Sequence, residues 1–340
     1  MKLKLVDYLL IGFVVLVGYG LVVNNMPTTP VILPVEPIVS KLPDYWGSES
    51  VAFSVGSTGS WDVRLDGAIT PIGMIQKDGK YFLYYIGADG TRGEPHNDGG
   101  PRHRALGVAT SIDGKNFVKY SGNPIITFLP HNNEEEGVFS GAVTQTLDGT
   151  VVIYYSGMDA GTQTSISVNS DARLATSSDG YNFVDKGAVL EWDDSSLWGY
   201  GDEIHPVAAF QSGSNWYLYY VAKSGGASWD VGLAYGSSMD YLPNSQKVLA
   251  YSGRIGACRI IKMPDNYALL TCYESGAVHG GADIEARYFD LTNPTQLTEV
   301  VKTYDLNLYD IGFAVYYDGN RWLVYYLSVD GENIMVREGN

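Results

Sequence analysis

The chain has 340 residues, yet only two cysteines, only 18% charged side chains, and 22 basic residues against 38 acidic ones. Each shortage excludes something. A formal charge of −16 repels a phosphate backbone and leaves no basic stripe to track one, so nucleic acid is not an expected partner. No histidine stands at ligand spacing from either cysteine, which argues against a metal site, and no cofactor is expected. The low charge accompanies 40 glycines, 26 tyrosines and 7 tryptophans. That composition suits many short aromatic strands joined by tight turns better than it suits helices, and the length permits one large all-β unit.

Lys2 and Lys4 precede an uncharged apolar run from Tyr8 to Val23. This reads as a signal anchor or signal peptide over residues 1–25, with the remainder of the chain outside the cytoplasm by the positive-inside rule. No small-x-small cleavage site follows, which favours an uncleaved membrane anchor. Prolines at 27, 30, 34, 37 and 43 mark residues 26–48 as a semi-rigid linker.

From there on the sequence repeats itself. The phrase Tyr81-Phe-Leu-Tyr-Tyr-Ile-Gly87 returns as Val151-Val-Ile-Tyr-Tyr-Ser-Gly157, Trp216-Tyr-Leu-Tyr-Tyr-Val-Ala222 and Trp322-Leu-Val-Tyr-Tyr-Leu-Ser328, with a degenerate copy at Tyr267-Ala-Leu-Leu-Thr-Cys-Tyr273. Each copy follows a short turn such as Asp78-Gly79 or Asp148-Gly149, the mark of a β-hairpin. Successive copies lie 70, 65, 51 and 55 residues apart, right for four strands with long loops. The expectation is a five-bladed β-propeller over residues 49–340, with Val51–Val55 supplying the strand that the last unit lacks. Cys258 and Cys272 stand symmetrically about the turn of the fourth unit, so they are either a cross-strand disulfide or two buried thiols.

Polar residues just before each first strand should converge on one funnel. There the sequence offers Trp61, Asp62 and Asp66 in unit one, Glu136, Phe139 and Ser140 in unit two, and Trp198, Tyr200, Asp202, Glu203 and His205 in unit three. Arg254 follows in unit four and Asp310 in unit five. Trp61, Trp198 and Tyr200 could stack on sugar rings or simply plug the core between blades. Of the five histidines, His96 and His103 sit in the long Gly90-to-Pro101 loop with Arg92, Arg102 and Arg104, which could cover a substrate, hold an anion, or be a solvated insertion.

The five-unit spacing, the Asp78-Gly-Lys-Tyr-Phe-Leu-Tyr-Tyr85 pair, the Ala-Thr-Ser-x-Asp-Gly-x-Asn-Phe phrases, Ser121-Gly-Asn-Pro-Ile125 and Val138-Phe-Ser-Gly-Ala142 resemble the five-bladed glycoside hydrolase superfamily that includes families 32, 43, 62, 68, 117 and 130. The resemblance implies a carbohydrate substrate or ligand. It implies a carboxylate base or nucleophile from unit one (Asp62 or Asp66), an orienting carboxylate from unit three (Asp202 or Glu203), and a glutamate acid from unit four. Unit four departs from this, because Arg254 to Arg259 contains no glutamate. Glu203 or His205 would then serve as acid, or Glu274 or Glu285 would reach in, or the domain would bind glycans without cleaving them. A glycoside phosphorylase and a protein-interaction propeller are the further alternatives.

Overall fold

In the computed structural model the repeated phrases of the sequence lie on successive four-stranded sheets. The structure describes residues 43–63, 71–88, 104–127, 137–159, 169–199, 203–223, 229–249, 254–262, 267–275, 282–308, 312–328 and 331–339. The expected anchor and most of the linker lie outside these residues. Within them the elements are strands, arranged as five four-stranded antiparallel sheets.

Blade 1 is β2 (Gly73–Lys77), β3 (Lys80–Ala88), β4 (Arg104–Ser111) and β5 (Val118–Lys119); blade 2 is β6 (Val138–Gln145), β7 (Val151–Asp159), β8 (Asn169–Ser177) and β9 (Val184–Leu190). Blade 3 comprises β10 (Ile204–Ser212), β11 (Asn215–Lys223), β12 (Trp229–Gly236) and β13 (Asn244–Leu249). Blade 4 comprises β14 (Arg254–Lys262), β15 (Tyr267–Ser275), β16 (Ala282–Asp290) and β17 (Lys302–Leu308). Blade 5 takes β18 (Phe313–Tyr317), β19 (Trp322–Leu327) and β20 (Asn333–Gly339) from the C-terminal end and closes with β1 (Ser50–Ser54), which pairs antiparallel with β20 as expected. The innermost strands β2, β6, β10, β14 and β18 touch one another in a closed ring. We call the rim where they begin the upper rim and the opposite one the lower rim.

The repeated phrases have a structural explanation. Asp78 and Gly79 both take positive φ (50° and 74°), the requirement of a two-residue hairpin whose twist matches its strands. In the Tyr-Tyr pair the first hydroxyl reaches the next blade. Tyr84 donates to the carbonyl of Gly180, Tyr154 to Met239, Tyr219 to Pro294 and Tyr325 to Gly114, at 2.6–3.1 Å. Burial holds these phenols protonated far above their usual range, so they remain donors at any pH the fold tolerates. The degenerate copy puts Leu270 at this position, so blade 4 lacks the link. Two of these acceptors, Gly114 and Gly180, end Ser-x-Asp-Gly turns. In one of them Ser111 Oγ accepts from Gly114 N at 2.9 Å, and Asp113 accepts from the backbone N–H groups of Lys115 and Asn116. Asn123, of the Ser-Gly-Asn-Pro phrase, pairs its side-chain amide with both backbone groups of Val108, continuing the ladder beside β4.

Apolar cores lie between blades. One packs Phe53, Tyr85, Leu323 and Tyr325 between blades 5 and 1, another Tyr154, Leu174, Trp216 and Tyr220 between blades 2 and 3. Cys258, fully buried, is disulfide-bonded and stands in register with Cys272. Of the two readings of that pair, the cross-strand disulfide is the one realised.

Candidate active site

At the upper rim three blades bring four polar or aromatic side chains together. Residue 137 must be glycine there, because a Cβ would sit 1.7 Å from the carbonyl oxygen of Arg104. This close approach sets the first residue of β4 against the entrance to β6. The register of β6 against β7 slips between Val138 and Gly141, and the hydroxyl of Ser156 accepts from the N–H groups of both Phe139 (3.1 Å) and Ser140 (2.7 Å). That bulge aims Phe139. Its ring lies 5.0 Å from the imidazole of His205 at 40°, and the Arg104 guanidinium stands 4.8 Å from the same ring.

His205 is 3% exposed, and its Nε2 lies 2.8 Å from a carboxylate oxygen of Glu203, whose side chain is 14% exposed. The entry of blade 3 is pinned by a parallel bridge between Ser170 and Glu203, and by Ser170 Oγ donating to the Ile204 carbonyl at 3.3 Å. A carboxylate and an imidazole in this contact can share or pass one proton, and partial removal from water strengthens their coupling. The next residue, Asp171, accepts from Trp192 N at 2.9 Å and is held above the usual carboxylate range, chiefly by burial. Neither it nor Ser170 carried any signal in the sequence.

One layer further in, Arg259 of β14 spans the channel. It donates to the carbonyls of Val207 and Cys258 through Nη1 (2.8 and 2.7 Å) and of Pro71 through Nη2 (2.8 Å), and lies 5.8 Å from the Phe313 ring. Burial pushes its pKa down to about 9. Its Nε has no hydrogen-bond partner among the described residues. In the sequence this arginine stands out only as the end of a segment that lacks a glutamate.

The structure joins Phe139, Glu203 and His205, with Arg104 added to them. Ser140, next to Phe139, is fully buried. Other expected site residues have other partners. Asp62 is 2% exposed; its carboxylate accepts from Tyr85 (3.0 Å) and Ser60 (3.2 Å) and pairs with Lys119 at 2.9 Å, all within blade 1 and the segment leading to it. Trp61 lies flat on blade 1, where a Cβ on Gly107 would come within 2.5 Å of the indole. Trp198 covers Gly232 and Tyr220 of blade 3 in the same manner. Both indoles therefore shield blade faces. Glu285 pairs with Arg287 on β16, the third strand from the axis. Arg254 opens β14 opposite Ser275. Asp66, Glu136, Tyr200, Asp202 and Asp310 lie outside the described residues, as do His96, His103 and the loop between them.

The fold is a five-bladed propeller, an architecture shared with solved carbohydrate-processing enzymes. Among solved structures, a β-1,2-mannobiose phosphorylase from Listeria innocua superposes with a TM-score of 0.60 at 15% identity, over 80% of this chain and 89% of that one. A glycosyl hydrolase from Bacteroides ovatus gives 0.56 at 14% identity, over 87% and 94%. A member of the GH130 family, which comprises mannoside phosphorylases and glycoside hydrolases targeting β-1,2 mannosidic linkages, gives 0.57 at 14%, over 88% and 96%. No family model and no curated protein matches the sequence. At these identities the likeness is one of fold, and the chain is a divergent example of it.

Proposed function

We propose that this protein hydrolyses glycosidic bonds of an extracellular glycan or oligosaccharide at the upper rim, tethered to a membrane by residues 1–25. The observation that carries the reading is the convergence of Arg104, Phe139, Glu203 and His205 from three blades, at the end of the channel where the innermost strands begin.

Cleavage needs a proton for the leaving oxygen and a second group to activate water or attack the anomeric carbon. In this reading Glu203 donates the proton, His205, hydrogen-bonded to it, orients the carboxyl, and the carboxylate regains its proton from solvent or from the attacking water. Asp66 or Asp202, on the segments entering blades 1 and 3, supplies the second carboxylate. Asp62 is the weaker choice because Lys119, Tyr85 and Ser60 already occupy its oxygens. Phe139 and Arg104 offer a ring face and a cation beside the pair.

Arg104 also favours a second reading. A guanidinium at the rim would hold inorganic phosphate, and phosphate could replace water as the attacking group. The two readings separate in one experiment, in which a panel of neutral oligosaccharides is incubated with the full chain, with and without phosphate. Free reducing sugar without phosphate supports hydrolysis, whereas a sugar phosphate formed only with it supports phosphorolysis. Binding with neither product would leave a carbohydrate-binding propeller and overturn the proposal.

A further inference from the structure

The channel has a second mouth. Arg259 divides it, being bonded to the carbonyls of Pro71 and Val207 and lying beside Phe313. The strands that supply those contacts run on below it to the lower rim. There they line a cavity of about 470 Å³, open to solvent at the rim, with residues of all five innermost strands.

None of the residues lining this cavity is charged, although the chain carries 38 acidic side chains. Gln76 of β2, Thr144 and Gln145 of β6 and Tyr316 of β18 face it, with Phe210 and Ile261 among the apolar part. No hydrogen bond to another described residue engages the Gln76 or Gln145 amide or the Thr144 or Tyr316 hydroxyl. An ion entering here would lose its hydration with no opposite charge to meet it. A wholly apolar ligand would displace water from the Gln145 amide and the Thr144 hydroxyl without replacing its hydrogen bonds. A neutral polyhydroxy compound meets neither cost. Adjacent hydroxyls match the donor and acceptor of an amide, and the C–H face of a sugar ring suits an aromatic wall. The size is within the usual range for small-molecule sites.

We infer that the lower mouth is an accessory binding site for a neutral mono- or disaccharide, separated from the upper rim by Arg259 and turning nothing over. The site would hold a glycan end while another segment meets the upper rim, but binding itself does not depend on catalysis there.

The test is calorimetric titration of the full chain carrying Glu203→Gln with maltose, cellobiose, lactose and mannobiose, and with glucuronic acid and inorganic phosphate as charged probes. The same titrations are run after adding Gln76→Leu and Gln145→Leu together, and after adding Thr144→Val alone. Gln76 is exposed and Gln145 half-buried, and circular dichroism and melting confirm that the variants remain folded. The expected result is binding of at least one neutral disaccharide that weakens tenfold or more in the double-leucine variant and falls in the valine variant, with no such sensitivity for the charged probes. If no neutral saccharide binds below about 10 mM, or if binding is indifferent to these substitutions and so belongs to the upper rim, the lower site does not exist as proposed.

Discussion

Glu203 and Asp62 are both carboxylates beside the start of a blade, and their surroundings give them different work. Asp62 is fully buried and meets a cation and two hydroxyls, so Asp62→Asn leaves the Lys119 ammonium facing a neutral amide. Lys119 is 29% exposed and can turn toward water, so the expected loss is about 1–3 kcal/mol of stability, below the usual toll for a fully buried pair. Denaturant melts measure it, with activity per folded molecule little changed. Glu203 instead meets the imidazole of His205 at the rim, among other interactions. The buried cation Arg259 is a third case. Its three carbonyl acceptors would be left unpaired by Arg259→Met, and a destabilisation of about 2–5 kcal/mol is expected, read in the same melts. Sequence spacing alone could not separate these roles, because an aspartate before a strand looks the same whether a lysine from the fourth strand of the blade reaches it or not.

Among elements, the Tyr-Tyr strands stand out as fasteners between blades. Replacing Tyr154 with Phe keeps the ring and strands the Met239 carbonyl, costing about 1–2 kcal/mol. Blade 4, which has Leu270 in place of this tyrosine, carries the disulfide of Cys258 instead. A bridge closing a loop of this length contributes about 3 kcal/mol. Reduction should therefore lower the unfolding midpoint, and a Cys258→Ser, Cys272→Ser variant should be insensitive to reductant. The five units, the hairpin turns and the closing strand were legible because period, turn residues and strand alternation are local. The site was legible only in part. Phe139, Glu203 and His205 belong to strands that begin at the rim, so their position in the repeat located them. Arg104 and Arg259 gain their roles from packing across blades, which no local pattern encodes.

For the whole molecule, ring closure joins blades 5 and 1, and part of it titrates. Asp318 accepts from Arg321 and from Tyr81, tying the β18–β19 turn to β3. Burial pushes its pKa up, but the Arg321 guanidinium, the backbone N–H groups of Asn320 and Arg321 and the Tyr81 hydroxyl outweigh it and hold the carboxyl at about 2. A folded pKa below the unfolded one means a contribution fully present above about pH 4 and lost as pH falls through about 2. It amounts to on the order of 2 kcal/mol, and the side chain is only 10% exposed, so screening by water is slight. Asp318→Asn should remove that contribution at neutral pH and flatten the acid limb of the stability curve. Closure also depends on β1. A chain starting at residue 43 should unfold in one cooperative transition, whereas one starting at residue 56 exposes the edge of β20 and should aggregate or melt early.

Whether Glu203 is the proton donor of glycoside cleavage at the upper rim is decided by the turnover of Glu203→Gln. The substrate is whichever oligosaccharide the full chain cleaves, assayed across pH. Glutamine keeps the shape and hydrogen-bonding reach of the side chain but has no proton to transfer. The expected result is a fall of roughly 10²–10⁴ in kcat with little change in KM, and loss of the limb of the pH profile that the acid sets. Unchanged kcat in Glu203→Gln would contradict it.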